Sequence, residues 1–439
     1  MNFDTMYKKK MIVGILALAA AVNGFAQSGT NSPYSQYGLG IISERAGSVG
    51  RGMNGVGIAY REHNQVNALN PASYAAIDSL SFIFDVGLSG QLTNFEENGK
   101  RLNAKNASFE YVVAGFRLAK HLGVSFGILP YTNVGYDYSV SEKVNATSSE
   151  YYTSTFTGKG GIHEVYLGMG WEPFKGFAFG FNAGYLWGGY DRTVKNSYSD
   201  SYVNTLSKEY SADVRNFKVD FGLQLTARLS KKDRLTLGAT YGLNRKIGGN
   251  PTCQVISYNP QTRVSDTISY PKNGELDLEI PMTIGAGLMW NHSGKVKVGV
   301  DYSLQKWGGV KFPEYTVVNN VPTYQLADNI YQDRHKFSLG AEICPAENSR
   351  KFLNRVRYRA GVAYATPYLK INGHDGPKEL SASLGFGIPI FDGWSNRSIL
   401  NISAQYVRQE SKMFIKENTF RINIGLTFNE RWFDKWKVE

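Results

Sequence analysis

From Phe217 onward the chain alternates. Phe217, Val219, Phe221, Leu223, Leu225, Ala227 and Leu229 interleave with Lys218, Asp220, Gly222, Gln224, Thr226, Arg228 and Ser230. The stretch after Glu275 repeats the pattern, with Leu276, Leu278, Ile280, Met282, Ile284, Ala286, Leu288 and Trp290 on one face. Near the end Phe420, Ile422, Ile424, Leu426 and Phe428 alternate with Arg421, Asn423, Gly425, Thr427 and Asn429. A period of two puts apolar side chains on one face of a β-strand and polar ones on the other. Helix-period patterns are nearly absent. The same reading yields fourteen segments, at roughly 79–92, 106–120, 122–140, 151–171, 176–198, 207–230, 233–249, 274–291, 295–307, 329–344, 353–370, 378–390, 397–409 and 416–429.

The connections sort into two kinds. Short ones fall at Lys120-His121, Glu172 to Lys175, Lys231-Lys232 and His292 to Gly294; long ones run from Thr93 to Lys105, Asn250 to Asn273 and Gly308 to Asp328. Tight turns at one rim and long loops at the other are the form of an outer-membrane barrel. An even strand count puts both ends on the short-turn, periplasmic side. The fold class predicted is all-β, a 14-stranded antiparallel transmembrane β-barrel. Segments longer than ten residues exceed the usual soluble strand. Polar faces carrying Arg355, Arg357 and Arg359, or Lys218, Asp220 and Arg228, suit a wet interior better than a packed core.

The N-terminus gives the compartment. Lys8, Lys9 and Lys10 precede an apolar run from Met11 to Val22, and Gly24-Phe25-Ala26 supplies small residues before Gln27. That is the form of a secretory signal peptide spanning 1–26. The apolar run is too short to cross a bilayer, which takes ~20 residues. No later stretch is long enough either, so membrane residence falls to strands. The domains expected are 1–26 signal peptide, 27–78 N-terminal segment, 79–430 barrel and 431–439 periplasmic tail, in the outer membrane of a Gram-negative bacterium.

Composition narrows the chemistry. The 439 residues carry 48 Lys+Arg against 37 Asp+Glu, but the basic charge is spread along strand faces rather than clustered with aromatics, which excludes a nucleic-acid reading. Hydrophobic residues at 42% exclude disorder. Two cysteines, Cys253 and Cys344, exclude a disulfide scaffold and are expected at opposite rims. The histidines (His63, His121, His163, His292, His335 and His374) show no metal-ligand spacing. Gly50, Gly52 and Gly55 form a formal G-x-G-x-x-G without the strand, helix and downstream acid that a dinucleotide site needs. No G-x-S-x-G elbow appears. No catalytic residue, cofactor or metal is expected, and the chain reads as a non-enzyme.

Ser48-Val49-Gly50-Arg51-Gly52-Met53-Asn54-Gly55-Val56-Gly57-Ile58-Ala59, followed by Asn67-Ala68-Leu69-Asn70-Pro71-Ala72, resembles the N-terminal signature of the FadL/TodX outer-membrane transport family. The resemblance implies a fourteen-stranded barrel whose N-terminal segment folds into the lumen as a hatch. Gly50, Gly52, Gly55, Gly57, Asn70, Pro71 and Ala72 are its candidate hatch residues. It also implies a kinked third strand that opens the wall sideways. Gly127, Pro130 and Gly135 are the matching positions here, since Pro removes a ladder donor and Gly weakens pairing. The family's acidic pair after the glycine stretch is replaced by Arg61-Glu62-His63.

Two functions follow. The first is a diffusion channel for hydrophobic, fatty-acid-like small molecules, for which Tyr34, Tyr37, Leu39, Ile41, Ile42 and Met53 are the apolar candidates in the hatch. The alternative is a non-transporting barrel subunit of an outer-membrane protein assembly (BAM-type) or secretion complex. Charged strand faces fit that alternative, with the Tyr-bearing stretches Ser197 to Tyr210 and Glu314 to Gln325 as partner surfaces. Expected partners are outer-membrane lipid, a hydrophobic ligand, and other outer-membrane or periplasmic proteins.

Overall fold

The computed structural model describes residues 29–97, 99–145, 149–271, 275–390 and 398–431. The signal-peptide reading and most of the C-terminal tail therefore lie outside the described residues. Fourteen strands form the wall: β1 (Ser81–Glu97), β2 (Lys100–Ala119), β3 (Leu122–Lys143), β4 (Tyr151–Phe174), β5 (Phe177–Tyr198), β6 (Thr205–Arg228), β7 (Asp233–Gly242), β8 (Thr283–His292), β9 (Val296–Gln305), β10 (Arg334–Ile343), β11 (Arg357–Ala365), β12 (Lys378–Pro389), β13 (Ile399–Glu410) and β14 (Lys416–Arg431). Each pairs antiparallel with its neighbours, and β1 closes on β14 from Ser81–Arg431 to Glu96–Lys416. Closure matters because a bilayer offers no water to an unpaired backbone edge.

The alternation translates directly into faces. Along β1 Ile83, Asp85 and Ser89 are buried toward the interior while Phe82, Phe84 and Val86 point out. Leu384 and Phe217 are 62% and 60% exposed, a fraction that only a lipid environment makes favourable for such side chains. No helix among the described residues is long and apolar enough to cross a membrane; the wall crosses with strands.

Three expectations change. β1 and β2 run on through a ladder to Glu97–Lys100, so the long connection expected from Thr93 to Lys105 is a hairpin. The alternating run after Glu275 is two strands, because Pro281 lacks an N–H for the ladder. Its first part, Asp277–Ile280, pairs with Arg245–Gly249 in a separate two-stranded sheet, and the wall resumes at Thr283. Arg355 ends a short helix, Phe352–Arg355, and only Arg357 and Arg359 belong to β11.

The wall is uneven in height. β3 to β6 have 22 to 24 residues, whereas β7 to β11 have 9 or 10. The long strands continue beyond the membrane as a sheet, extended by Thr252–Tyr258 on β6 and by Ser265–Tyr270 on that strand. The hairpin Phe312–Val318 with Val321–Ala327 packs on its inner face, Tyr324 against Tyr210 and Tyr315 against Tyr270. Those tyrosines are engaged within the chain; Tyr202 remains exposed. Cys253 and Cys344 are free and buried.

Candidate functional site in the barrel lumen

Residues 29–78 lie inside the barrel and contact its inner face from one end to the other. Near the loop end Ser32 Oγ donates to Glu417 Oε1 at 2.7 Å and Tyr34 Oη to the Ile415 carbonyl at 2.6 Å. At the turn end Tyr74 Oη donates to Asn182 Oδ1 at 3.1 Å. Between them Ser48–Gly52 forms one helical turn and a bend, which Asn54 (φ 56°) and Gly55 (φ 93°) reverse in the left-handed region. Asn70 caps the short 3-10 helix Pro71–Ala76 by accepting from the Ala72 amide at 3.1 Å. Its Nδ2 donates to the Ile58 carbonyl at 2.8 Å and the Leu223 carbonyl at 3.1 Å, which ties the turn to β6.

A belt of glycines on the inner wall receives this segment. In cross-strand register Gly123, Gly170, Gly180 and Gly222 are neighbours, as are Gly238 with Gly287 and Gly299 with Gly340 and Gly361. A Cβ at Gly180 would lie 2.6 Å from the Pro71 carbonyl oxygen, one at Gly340 2.7 Å from Met53 Cβ, and one at Gly385 2.8 Å from Gly52 Cα. The segment's backbone thus sits directly on the wall. Gly340→Leu should expel it: protease cleavage between residues 29 and 60 is expected to become rapid while the heat-modifiable gel shift of the barrel persists. Unchanged protection would contradict the close seat.

Charge fixes what the glycines admit. Arg45 reaches Glu164 at 2.8 Å and Asp220 at 3.3 Å; Glu44 reaches Lys336 at 2.6 Å; Arg51 reaches Glu110 at 2.8 Å. Glu110 is the extra residue of a bulge between β1 and β2, which turns its carboxylate into the lumen. The Gly57 and Ile58 amides donate to Asp301 Oδ2 at 2.6 and 2.8 Å. The residues that stand in place of the acidic pair are partnered too: Arg61 binds Glu172 at 2.8 Å, Glu62 binds Lys297 at 2.7 Å, and His63 Nδ1 donates to Asp78 Oδ2 at 2.6 Å. That last hydrogen bond raises the His63 pKa above its ordinary 6.5. A raised pKa contributes stability below the unfolded value and loses it as pH rises through the folded one. Exchange of the Asp78 amide, bonded to the His63 carbonyl at 3.0 Å, is therefore expected to quicken from pH 6 toward pH 8.5 beyond the intrinsic chemical rate, and His63→Gln to abolish that excess.

The wall is interrupted beside the segment. β2 and β3 pair only from Val112–Ile128 to Ala119–Leu122, although both strands continue far beyond. Gly127 pairs with Val113 in the last part of that ladder, and Pro130 marks the register shift against β4 that leaves Tyr131 extra. Past this point the free edge of β3 is met by the N-terminal segment. Ile41 and Ile42 pair with Asn133 and Thr132, and the Ser43 amide donates to the Tyr131 carbonyl at 3.0 Å. Ser35 Oγ accepts from the Gly135 amide at 3.1 Å and donates to its carbonyl at 3.2 Å. On the other side Asn31 Nδ2 donates to the Lys105 carbonyl of β2 at 3.1 Å.

The structure thus brings Gly50, Gly52, Gly55, Gly57, Asn70, Pro71 and Ala72 together in the lumen and sets Gly127, Pro130 and Gly135 along the interruption. The apolar candidates divide. Tyr34 and Leu39 pack in a closed cluster with Trp307, Phe312 and Tyr331 at the loop end, and Met53 packs with Val49 and Val56. Ile41 and Ile42 border a cavity of about 240 Å³ that is otherwise mainly polar, with Glu44, Arg45, Asp301, Arg334, Lys336 and Arg421 among its lining. Sequence reading missed Glu44, Arg45 and Arg51 as anchors; the inward-facing Glu164, Asp220 and Lys336 each needed a partner, which was the available signal. Among the described residues no group of His, Cys, Asp and Glu is placed to hold a metal ion.

Barrel and lumen together define a fourteen-stranded β-barrel filled by its own N-terminal segment, a fold that solved hydrocarbon channels share. Similar solved structures are the toluene transporter TodX of Pseudomonas putida (15% identity, 89% of this chain and 99% of that one, TM-score 0.60), the monoaromatic hydrocarbon channel CymD (17%, 90% and 98%, 0.55) and a Pseudomonas aeruginosa FadL homologue (12%, 89% and 99%, 0.57). At these identities the likeness is one of fold. The BamG family profile matches residues 6–439, and the chain belongs to the BamG family. No curated protein matches the sequence.

Proposed function

We propose that this protein is a closed, non-transporting barrel that serves as a subunit of an outer-membrane protein assembly complex. The observation that carries the reading is the lumen: a segment held by ion pairs along its length, leaving a mainly polar cavity of about 240 Å³. A passage for hydrophobic molecules needs an apolar chamber with few polar groups, commonly ~300–1,000 Å³. The Bam designation of the family supports the same reading. Depleting the protein should lower the amounts of other outer-membrane barrels at unchanged transcript levels. Normal barrel levels with slowed uptake of a monoaromatic hydrocarbon would reject it.

The second reading, a diffusion channel for hydrophobic molecules with a hatch and a side opening, draws on the interruption between β2 and β3 and on the transporters that share the fold. In it, Pro130 and the Ile41–Ile42 pairing with β3 would border the exit. Pro130→Ala leaving hydrocarbon uptake intact would remove the side exit from consideration.

A further inference from the structure

The outward face of β3 to β6 changes chemistry at one level. Along β5 it presents Phe181, Tyr185 and Trp187, and farther out Thr193, Lys195 and Ser197. β6 presents Phe221 and Phe217, then Arg215, Asp213, Ser211, Glu209, Ser207 and Thr205. At the change His163 packs against Trp187 with centroids 5.6 Å apart and ring planes tilted by 31°, and Tyr185 meets Phe217 edge-on at 5.3 Å, an aromatic girdle of the kind that marks the edge of the lipid.

Above the girdle the face mixes hydroxyls with charges of both signs, Asp137, Lys143, Lys195 and Glu209 among them. Ser141, Thr153 and Ser197 stand in one cross-strand row, and Ser139, Thr155, Lys195 and Ser207 in the next. Ser141 and Thr153 share a hydrogen bond of 2.9 Å, as do Ser211 and Thr252 at 3.0 Å. The nearby charges answer one another, Lys159 with Asp191 at 3.9 Å and Arg215 with Asp213 at 2.8 Å. Among the described residues β3 to β6 are the longest strands of the wall. The ten residues after Trp187, as far as Ser197, at ~3.3 Å each, carry the face ~33 Å along β5.

We infer that this face docks the saccharide headgroups of glycolipids in the surrounding outer leaflet. It is continuous with the lipid-facing wall, so its first neighbours are whatever the same lipids expose above their acyl chains. Its chemistry suits polyhydroxylated sugar: many short donor-acceptor groups, balanced charge and a flat surface. Protein contacts are the weaker fit, since their cores favour aromatics, Met and Arg and are depleted in Ser.

The test uses the full-length protein. Thr153→Val, Thr155→Val and Thr193→Val in one chain remove hydroxyls while keeping β-branched shape. Purified in mild detergent from native outer membranes, this variant should retain glycolipid sugar at about a tenth of the wild-type amount, given the loss of several hydrogen bonds. Unchanged retention by a variant that still shows the folded gel shift would overturn the inference, as would unchanged sugar with loss of a co-purifying protein. Should the variant not fold, hydrogen exchange of the wild-type chain decides. Residues 153–157 and 193–197 should exchange more slowly in nanodiscs containing outer-membrane glycolipid than in phosphatidylcholine discs; equal rates would contradict the docking.

Discussion

Deleting residues 30–70 opens the barrel: single-channel conductance in planar bilayers is expected to rise by an order of magnitude or more, because walls of more than about eight strands are too wide for their own inward side chains to fill. In the intact chain residues 30–70 fill that width, with the helical turn Ser48–Gly52 pressed on the glycine belt. The deletion also leaves Glu164, Asp220, Asp301 and Lys336 facing a lumen that fills with water, where they are hydrated and tolerable. The barrel itself should therefore keep its heat-modifiable gel shift. Equal, low conductance of the folded deletion variant would show that the segment does not close the lumen.

Reversing one charge should release the segment without cutting it. Arg45 joins the segment to β4 and β6 through Glu164, which is 1% exposed, and Asp220. Arg45→Glu places three carboxylates together and removes the partner of a buried one, a change that costs about 3 kcal/mol or more when a buried pair is broken. Lys218, near both acids, offsets part of this. The expected result is proteolytic access at residues 29–45 with the wall intact. Glu164→Gln in the same chain should restore protection, since it removes one of the like charges; a double variant as open as the single one would mean that this cluster does not hold the segment.

Much of the wall was legible because lipid on one side and water on the other impose a period of two that nothing local can imitate. Fourteen segments and fourteen strands agree, and the apolar face around Phe221 or Ile422 is the lipid face. Long-range pairing was not legible. The alternation after Leu276 continues through Pro281 without a visible break, because Leu278 and Ile280 are apolar for another reason: they pack in the loop-end cluster with Trp307 and Phe312 rather than against lipid. Glycine carried an unread message. Gly180, Gly222, Gly340 and Gly361 look like weak strand positions taken one at a time, and only cross-strand register shows that they form a single seat. The resemblance located the N-terminal segment, but its anchors Glu44, Arg45 and Arg51 pair with residues 59 to 292 positions away, and no local pattern encodes such partners.

The measurement that bears most directly on the proposed role is isolation of the full chain from native outer membranes in mild detergent, with mass spectrometry of both co-purifying protein and bound lipid. A stable complex of fixed stoichiometry with other outer-membrane or periplasmic assembly proteins is the expected outcome. Recovery of the barrel alone, carrying a fatty acid or another apolar molecule in its lumen, would contradict it and return the protein to the hydrophobic channels whose fold it shares.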